Sequence, residues 1–300
     1  MTSESTVIRS EGLTVRFRRE VVRNVTLSVD RGTVYALLGR NGAGKSSLVR
    51  CILGQLRPAS GRVHLFGDEA WSRREALMKR VGVVPEDADA PAEMTVDQLA
   101  RFCSRLYPRW EQSGLDERLG RTGIDPKQRF GELSKGQKKQ VTLALALASA
   151  PELLILDDPT LGLDVVARKS LFEEIIGDLA DRGTTVMITT HDLSGIEAIA
   201  DRVGILQEGA LVLDEETEAL KSRFRRIRCA SESATLSSGR LAATRVRRWG
   251  SGMEAVVSNY DEIAFAGLCD AGTIDDAEVV PMTLEEIFIA VAGEPEGAES

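Results

Sequence analysis

The residues best suited to chemistry sit in one short stretch, Gly39-Arg40-Asn41-Gly42-Ala43-Gly44-Lys45-Ser46-Ser47, which fits the Walker A spacing G-x-x-x-x-G-K-[ST]. Three glycines let the backbone curl into a nest whose N–H groups surround phosphate oxygens with no Cβ in the way. Lys45 brings a full positive charge to the outer phosphates of a polyphosphate, and the Ser46 hydroxyl is a ligand for the Mg²⁺ that travels with them. A Gly-rich turn without function would explain the glycines. It would not explain Gly-Lys-Ser at the opening of a helix.

The flanking residues supply the elements that such a nest requires. Val34 to Leu38 is an apolar run that predicts a strand, and Ser47 to Leu53, closed by Gly54, predicts a helix whose positive dipole end faces the anion. Leu153-Leu154-Ile155-Leu156 reads as a strand inside a parallel sheet and delivers Asp157-Asp158 at its carboxyl end, where ligands of open α/β sheets gather. Thr184 to Ile188 is a similar strand that runs out at Thr190-His191-Asp192, and Val81 to Val84 ends at Pro85-Glu86. Strands are also expected at Val7–Ile8, Leu13–Phe17, Val25–Val29 and Arg62–Phe66, the last with a structural His64, and a hairpin around Glu208-Gly209. Ser134 is the expected N-cap of the longest helix, through Leu147, and Thr95 caps the first of two helices in an insert of about residues 87–130. Other helices are expected at Arg73–Arg80 and at Val166–Ala180, the latter stopped by Gly183. This alternation of strand and helix argues a mostly parallel sheet wrapped by helices.

Composition narrows the classes. With 300 residues, 43% hydrophobic, 28% charged and a net charge of -8, the chain reads as an ordinary globular protein without the basic footprint of a nucleic-acid binder. Cys51, Cys103, Cys229 and Cys269 form no C-x-x-C pair and read as reduced core fillers. No secretory segment is expected at the N-terminus, and the most apolar stretch, Val141 to Leu156, is too short to span a bilayer. The expected organisation is residues 1–214 as the nucleotide domain, 215–224 as a connecting helix, 225–292 as a small α+β domain and 293–300 as a loose acidic tail. From Lys221 to Arg248 arginines dominate, and beyond Trp249 there is no lysine or arginine, so the basic strip is expected either to be a solvated face or to pair with the acidic strip of the same domain or of a twin copy.

In order along the chain stand the Walker A nest, Val84-Pro85-Glu86, Leu133-Ser134-Lys135-Gly136-Gln137, a Walker B strand ending in Asp157, Leu161-Gly162-Leu163-Asp164, and Thr190-His191. Over about residues 5–213 this order resembles the ATP-binding cassette family, the nucleotide-binding subunits of ABC transporters. The Leu-Ser-Lys-Gly-Gln segment resembles the signature that other P-loop enzymes lack. The resemblance implies an α/β P-loop NTPase of ABC type, with an antiparallel β part and a helical insert. It implies ATP and Mg²⁺ as ligands, and two cassettes that clamp ATP between the nest of one and the signature of the other. The second cassette is the same chain or a different one. Ser134, Lys135, Gly136 and Gln137 would face the partner's ATP, and Ser46, Glu86 and Asp157 would serve Mg²⁺. Asp158 and His191 would position water and the γ-phosphate, and Asp164 would link the two sites. Phe17 either stacks on adenine or packs in the core. The insert matches the region that meets transmembrane permease subunits, where Tyr107-Pro108-Arg109-Trp110 either presents aromatics to that partner or pins the insert's helices.

Two positions depart from the family pattern. Asp158 stands where a glutamate is usual, and Glu86 where a glutamine is usual. The shorter arm of Asp158 admits slow hydrolysis, because errors of about 1 Å can cost roughly a hundredfold in rate; a backbone shift that absorbs the difference would leave an ordinary enzyme. Met282-Thr283-Leu284-Glu285-Glu286-Ile287-Phe288 resembles the end of the accessory domain in bacterial export-type cassettes. The expected protein is therefore the ATPase subunit of an ABC exporter, cytoplasmic and peripheral on the inner face of the membrane. The alternatives are a regulatory ATP clamp with little hydrolysis and, less favoured, a cassette acting on ribosomes or DNA repair.

Overall fold

The computed structural model describes residues 5–193, 195–229, 241, 243–249, 252–270 and 277–293. The chain divides into two compact units, Met1–Asp214 and Glu215–Ser300. Apart from Gly293, the expected acidic tail lies outside the described residues.

In the first unit, β1 (Thr6–Arg16) and β2 (Glu20–Asp30) precede β3 (Val34–Leu38) and α1 (Lys45–Ile52). Next come β4 (Ser60–Leu65), β5 (Asp68–Glu69), α2 (Arg74–Met78) and β6 (Val81–Val84). The insert carries α3 (Val96–Ser104) and α4 (Gln112–Thr122), followed by α5 (Lys135–Ala148), β7 (Leu153–Asp157), α6 (Val165–Arg182), β8 (Thr185–Thr190), β9 (Arg202–Gln207) and β10 (Ala210–Glu216). A six-stranded sheet has the order β10-β9-β3-β8-β7-β6, and its inner pairings are parallel. Both faces of its central strands are covered. The central strands are therefore unbroken apolar runs, and every residue of β3 and β8 is buried. A four-stranded antiparallel sheet, β2-β1-β4-β5, stands beside it.

Two sequence expectations change here. The runs Val7–Ile8 and Leu13–Phe17 merge into the single strand β1 except for Phe17, which falls in the following turn, and the register of β1 slips between Ser10 and Leu13 around Gly12 at φ +56°. That bulge is why the alternation looked broken. The expected helix Arg73–Arg80 forms only over Arg74–Met78.

Thr95 caps α3 through a reciprocal box with Gln98. The insert keeps its own apolar cluster, in which Val96, Leu99, Leu115, Leu119 and Phe130 pack on Val141 and Ala144 of α5. Trp110 is partly buried against this cluster and donates from Nε1 to Gln112 Oε1 at 2.9 Å, which fits the pinning alternative.

The second unit holds α7 (Thr217–Arg223), β11 (Arg225–Cys229), β12 (Ala243–Trp249), β13 (Gly252–Val257), α8 (Glu262–Asp270), β14 (Glu278–Pro281) and α9 (Leu284–Ala292). Its antiparallel sheet runs β12-β13-β11-β14 around Ile227, Cys229, Met253, Ala255 and Val257. Among the described residues, arginines of the basic strip find acids within this unit: Arg223 Nη2 meets Glu215 Oε1 at 2.6 Å, Arg226 Nη2 meets Glu286 Oε1 at 2.6 Å, and Arg228 Nε meets Glu254 Oε2 at 3.0 Å. Among the described residues no helix is long and apolar enough to cross a membrane.

Candidate nucleotide site

The nest sits where β3 gives way to α1, at the carboxyl edge of the parallel sheet. Gly44 lies at φ +109°, and a Cβ there would come within 2.3 Å of the Val21 carbonyl oxygen. At Gly39 a Cβ would meet the Leu206 carbonyl oxygen at 2.7 Å, whereas Gly42, at φ +80°, faces open space. Two of the three glycines therefore answer to the protein's own backbone, and only Gly42 borders the space a ligand would fill. Gly209 N donates to Ala43 O at 3.0 Å, tying the loop to the β9–β10 hairpin. No side chain caps α1, so its first N–H groups remain directed at the nest, a cradle that fits a polyphosphate.

Lys45 is only 6% exposed, and its Nζ donates to Gly39 O at 2.7 Å. Burial pushes its pKa down, and the carboxylates of Asp158, Asp157 and Glu86 push the other way. The charges of all three acids therefore reach the nest lysine, although they come from two separate segments, the ends of β6 and β7. Asp157 ends β7, and its Oδ1 accepts a hydrogen bond from Thr189 Oγ1 of β8. Glu86 follows β6 and is exposed. Asp158 is buried at φ +43°, an unusual backbone for a residue with a side chain. Its Oδ1 accepts from the His191 backbone N–H at 3.3 Å and lies 3.0 Å from His191 Nδ1. A proton on Nδ1 would make that a second hydrogen bond and leave Nε2 facing outward.

Among the described residues no three His, Cys, Asp or Glu side chains gather as a metal cage. By donor type, the hydroxyl of Ser46 and the carboxylates of Asp157 and Glu86 instead fit Mg²⁺, which one or two carboxylates hold together with phosphates and water.

The signature segment opens α5. Ser134 Oγ accepts from Gln137 N at 3.2 Å, and Gln137 Oε1 accepts from Ser134 N at 2.9 Å. The box uses Ser134 as an acceptor and leaves its O–H and the N–H groups of Lys135 and Gly136 at the helix end. The turn 161–164 lies against this segment: a Cβ on Gly162 would stand 3.3 Å from Lys135 Cδ, and one on Gly136 would stand 3.7 Å from Leu163 Cδ2. Asp164 caps α6 by accepting from Ala167 N at 2.8 Å. Phe17 is 59% exposed in the β1–β2 turn, so the core alternative does not hold for it.

Comparison with known proteins bears on this arrangement. A family model described as ABC transporter matches residues 22–161. The chain is 33% identical over 225 residues to a bacitracin transport ATP-binding protein of Bacillus licheniformis, covering 74% of each. The chain belongs to the ATP-binding proteins of ABC transporters. It is also 36% identical over 211 residues to a Nod factor export ATP-binding protein of Burkholderia orbicola, covering 67% of each. Among solved structures it is similar to cbiO1 of Clostridium perfringens, part of the ABC transporter complex cbiONQ, with 29% identity and a TM-score of 0.63 over 73% of this chain and 92% of that one.

Within this ABC ATP-binding protein, sequence reasoning missed three groups around the site. Lys139 of α5 is 1% exposed and donates from Nζ to Asp158 O at 2.8 Å and to Glu86 O at 2.9 Å. Thr189 holds Asp157, and Arg168 Nη1 of α6 meets Asp192 Oδ2 at 3.0 Å, next to His191. A polar residue on the buried side of α5 was a signal within reach, because a lysine there demands acceptors.

Proposed function

We propose that this subunit hydrolyses Mg²⁺-ATP at the carboxyl edge of its parallel sheet and, paired with a second cassette, drives separate transmembrane subunits of an exporter. The observation that carries the proposal is the gathering of Asp157, Asp158 and Glu86 around the buried Lys45, with His191 attached to Asp158. The nest, Lys45 and the N-terminus of α1 bind the triphosphate, and Phe17 supplies an exposed ring for the base. When bound, Mg²⁺ neutralises phosphate charge and orients the reacting oxygens; Ser46 and Asp157, with Glu86, are its ligands directly or through water. Asp158 and His191 hold the attacking water and the γ-phosphate. Ser134 to Gln137 present a helix N-terminus to the triphosphate of a partner cassette, and Asp164 lies in the turn packed on that segment. The name of the Nod factor export relative favours export.

The insert offers the surface for the transmembrane partner. Phe102 and Leu106 are more than half exposed, and a groove of about 390 Å³ lined by Val83, Met94, Leu99, Phe102, Tyr107 and Phe130 opens beside them. The unit from Glu215 onward is the accessory domain, entered through α7.

The second reading, an ATP clamp with little hydrolysis, draws on the contact of the Asp158 carboxylate with His191, which occupies the shorter arm. Turnover by the purified chain and by Asp158→Glu separates the two. Brisk hydrolysis by the native chain that Asp158→Glu leaves unchanged removes the clamp. A gain on the order of a hundredfold in the variant supports it. Absence of ATP binding by the native chain overturns both.

A further inference from the structure

Lys139 is a cation without an obvious place in the proposed chemistry. It is almost fully buried on α5, where an apolar side chain of the same length would fill the space without desolvating a charge. Its two hydrogen bonds go to backbone carbonyls rather than to carboxylates, and those carbonyls belong to Glu86 and Asp158, two of the acids proposed for the site. Asp158 needs such support. Its backbone sits at φ +43°, and it is held by its N–H donating to Thr189 O at 2.9 Å, by Lys139 Nζ at 2.8 Å and the Leu161 N–H at 3.3 Å on its carbonyl, and by His191 on its carboxylate. Removing Lys139 leaves the carbonyl with the longer bond alone and frees the peptide to relax toward ordinary φ, which would swing the carboxylate away from His191. Lys139 lies five residues beyond Ser134 on one continuous helix. A displacement of the signature end of α5 is therefore delivered to Glu86 and Asp158 through one side chain.

We infer that Lys139 is a positioning residue: it fixes the backbones of Glu86 and Asp158 to the signature helix and so ties the carboxylates of a chain's own site to the helix that would meet its partner's triphosphate. The inference rests on the ATPase reading above. Burial pushes the Lys139 pKa down, while Asp158, then Glu86 and Asp87, push it up against Lys135, which is the field expected of an ammonium set among acids.

The test compares the full chain with Lys139→Met and Lys139→Arg, in native and Asp158→Asn backgrounds. For Lys139→Met, kcat should fall on the order of tenfold or more while KM for ATP moves less than about threefold, the split expected when positioning rather than binding is lost. Lys139→Arg should recover part of that loss. In the Asp158→Asn background Lys139→Met should cost less than about twofold, because the residue acts through Asp158. Amide hydrogen exchange should rise at residues 86–88 and 158–160 but not at 39–47, a reading that needs no turnover. Unchanged kcat with unchanged exchange overturns the inference, as does a rise in KM alone or an equal loss in both backgrounds. If the native chain binds no ATP, the function fails and exchange still decides the tie. If Lys139→Met does not fold, Lys139→Gln carries the same readings.

Discussion

Glu152 and Asp157 stand at opposite ends of β7, and the two ends handle negative charge in opposite ways. At the start of the strand, Glu152 accepts from Arg80 Nε and Nη2, each at 2.8 Å, and from Arg31 Nη1 at 3.3 Å, with Arg109 at 3.6 Å. Arg80 also lies 3.7 Å over the Phe66 ring. These hydrogen bonds, Arg80 foremost, hold the Glu152 carboxyl down at about 2 against burial that would raise it. At the other end, Lys45 and Lys139 give hydrogen bonds to carbonyl oxygens, and Asp157 receives its own from the neutral Thr189. One end of the strand spends its guanidinium groups on stability. The other pairs none of its acids with a guanidinium among the described residues: Asp157 has the Thr189 hydroxyl and Asp158 has His191.

The largest expected effect breaks the functional end alone. Asp157→Asn preserves shape and the Thr189 contact but removes the charge proposed to serve Mg²⁺. ATP turnover should fall on the order of a hundredfold or more, a loss typical of removing one group that stabilises transition-state charge. The melting temperature should stay level, since the Thr189 hydrogen bond is kept. Turnover at native level with a lowered melting temperature would show that Asp157 is a structural acid like Glu152.

The reverse pattern is expected at Glu152. Glu152→Gln should cost about 1–2 kcal/mol at neutral pH, because the ion pairs are partly screened by water. ATP turnover per folded molecule should be unchanged. The pH dependence follows from the sign of the shift: the folded carboxyl lies at about 2, below its ordinary 4.5. Its contribution is complete above pH 4.5 or so and is lost as the pH falls toward about 2, since protons then bind the unfolded chain first. Denaturant melts of the native chain and Glu152→Gln should therefore converge across that window. A difference that persists undiminished at the acid end would assign the effect to packing instead.

The sequence discloses these two ends unequally. The nest is legible because its geometry follows from residue types at fixed local spacing: Gly44 is demanded by φ +109° and by the Val21 carbonyl, and no other residue type would serve. The buried strands β3, β7 and β8 announce themselves as apolar runs, and Asp157, Asp158 and His191 stand visibly at their ends. What the sequence hides is pairing over distance. Glu152 meets Arg80 across 72 positions, Asp158 meets His191 across 33, and Lys139 reaches Glu86 across 53. Each of these residue types is common on a surface, so nothing local distinguishes the partnered from the solvated. The bulge at Gly12 is a related case, because an extra residue flips the alternation from which a strand is read.

The smallest effect sharpens the comparison by holding the cap constant. Thr95 with Gln98 and Ser134 with Gln137 form boxes of equal geometry, 2.9 Å and 3.2 Å in each. Removing either hydroxyl, by Thr95→Ala or Ser134→Ala, should cost a similar amount of stability, about 1 kcal/mol. Their effects on turnover should differ. Thr95 opens a helix whose buried face serves only the insert's core, so turnover should follow the folded fraction. Ser134 opens the signature helix, and its hydroxyl hydrogen is still available for an anion after Gln137 has used the oxygen. ATP-dependent pairing of chains and the turnover that requires it should therefore fall further in Ser134→Ala than stability alone accounts for, by about three- to tenfold for the net worth of one ordinary hydrogen bond. Equal turnover in the two variants would reduce Ser134 to a helix cap and move the partner's phosphate contact to the backbone N–H groups of Lys135 and Gly136.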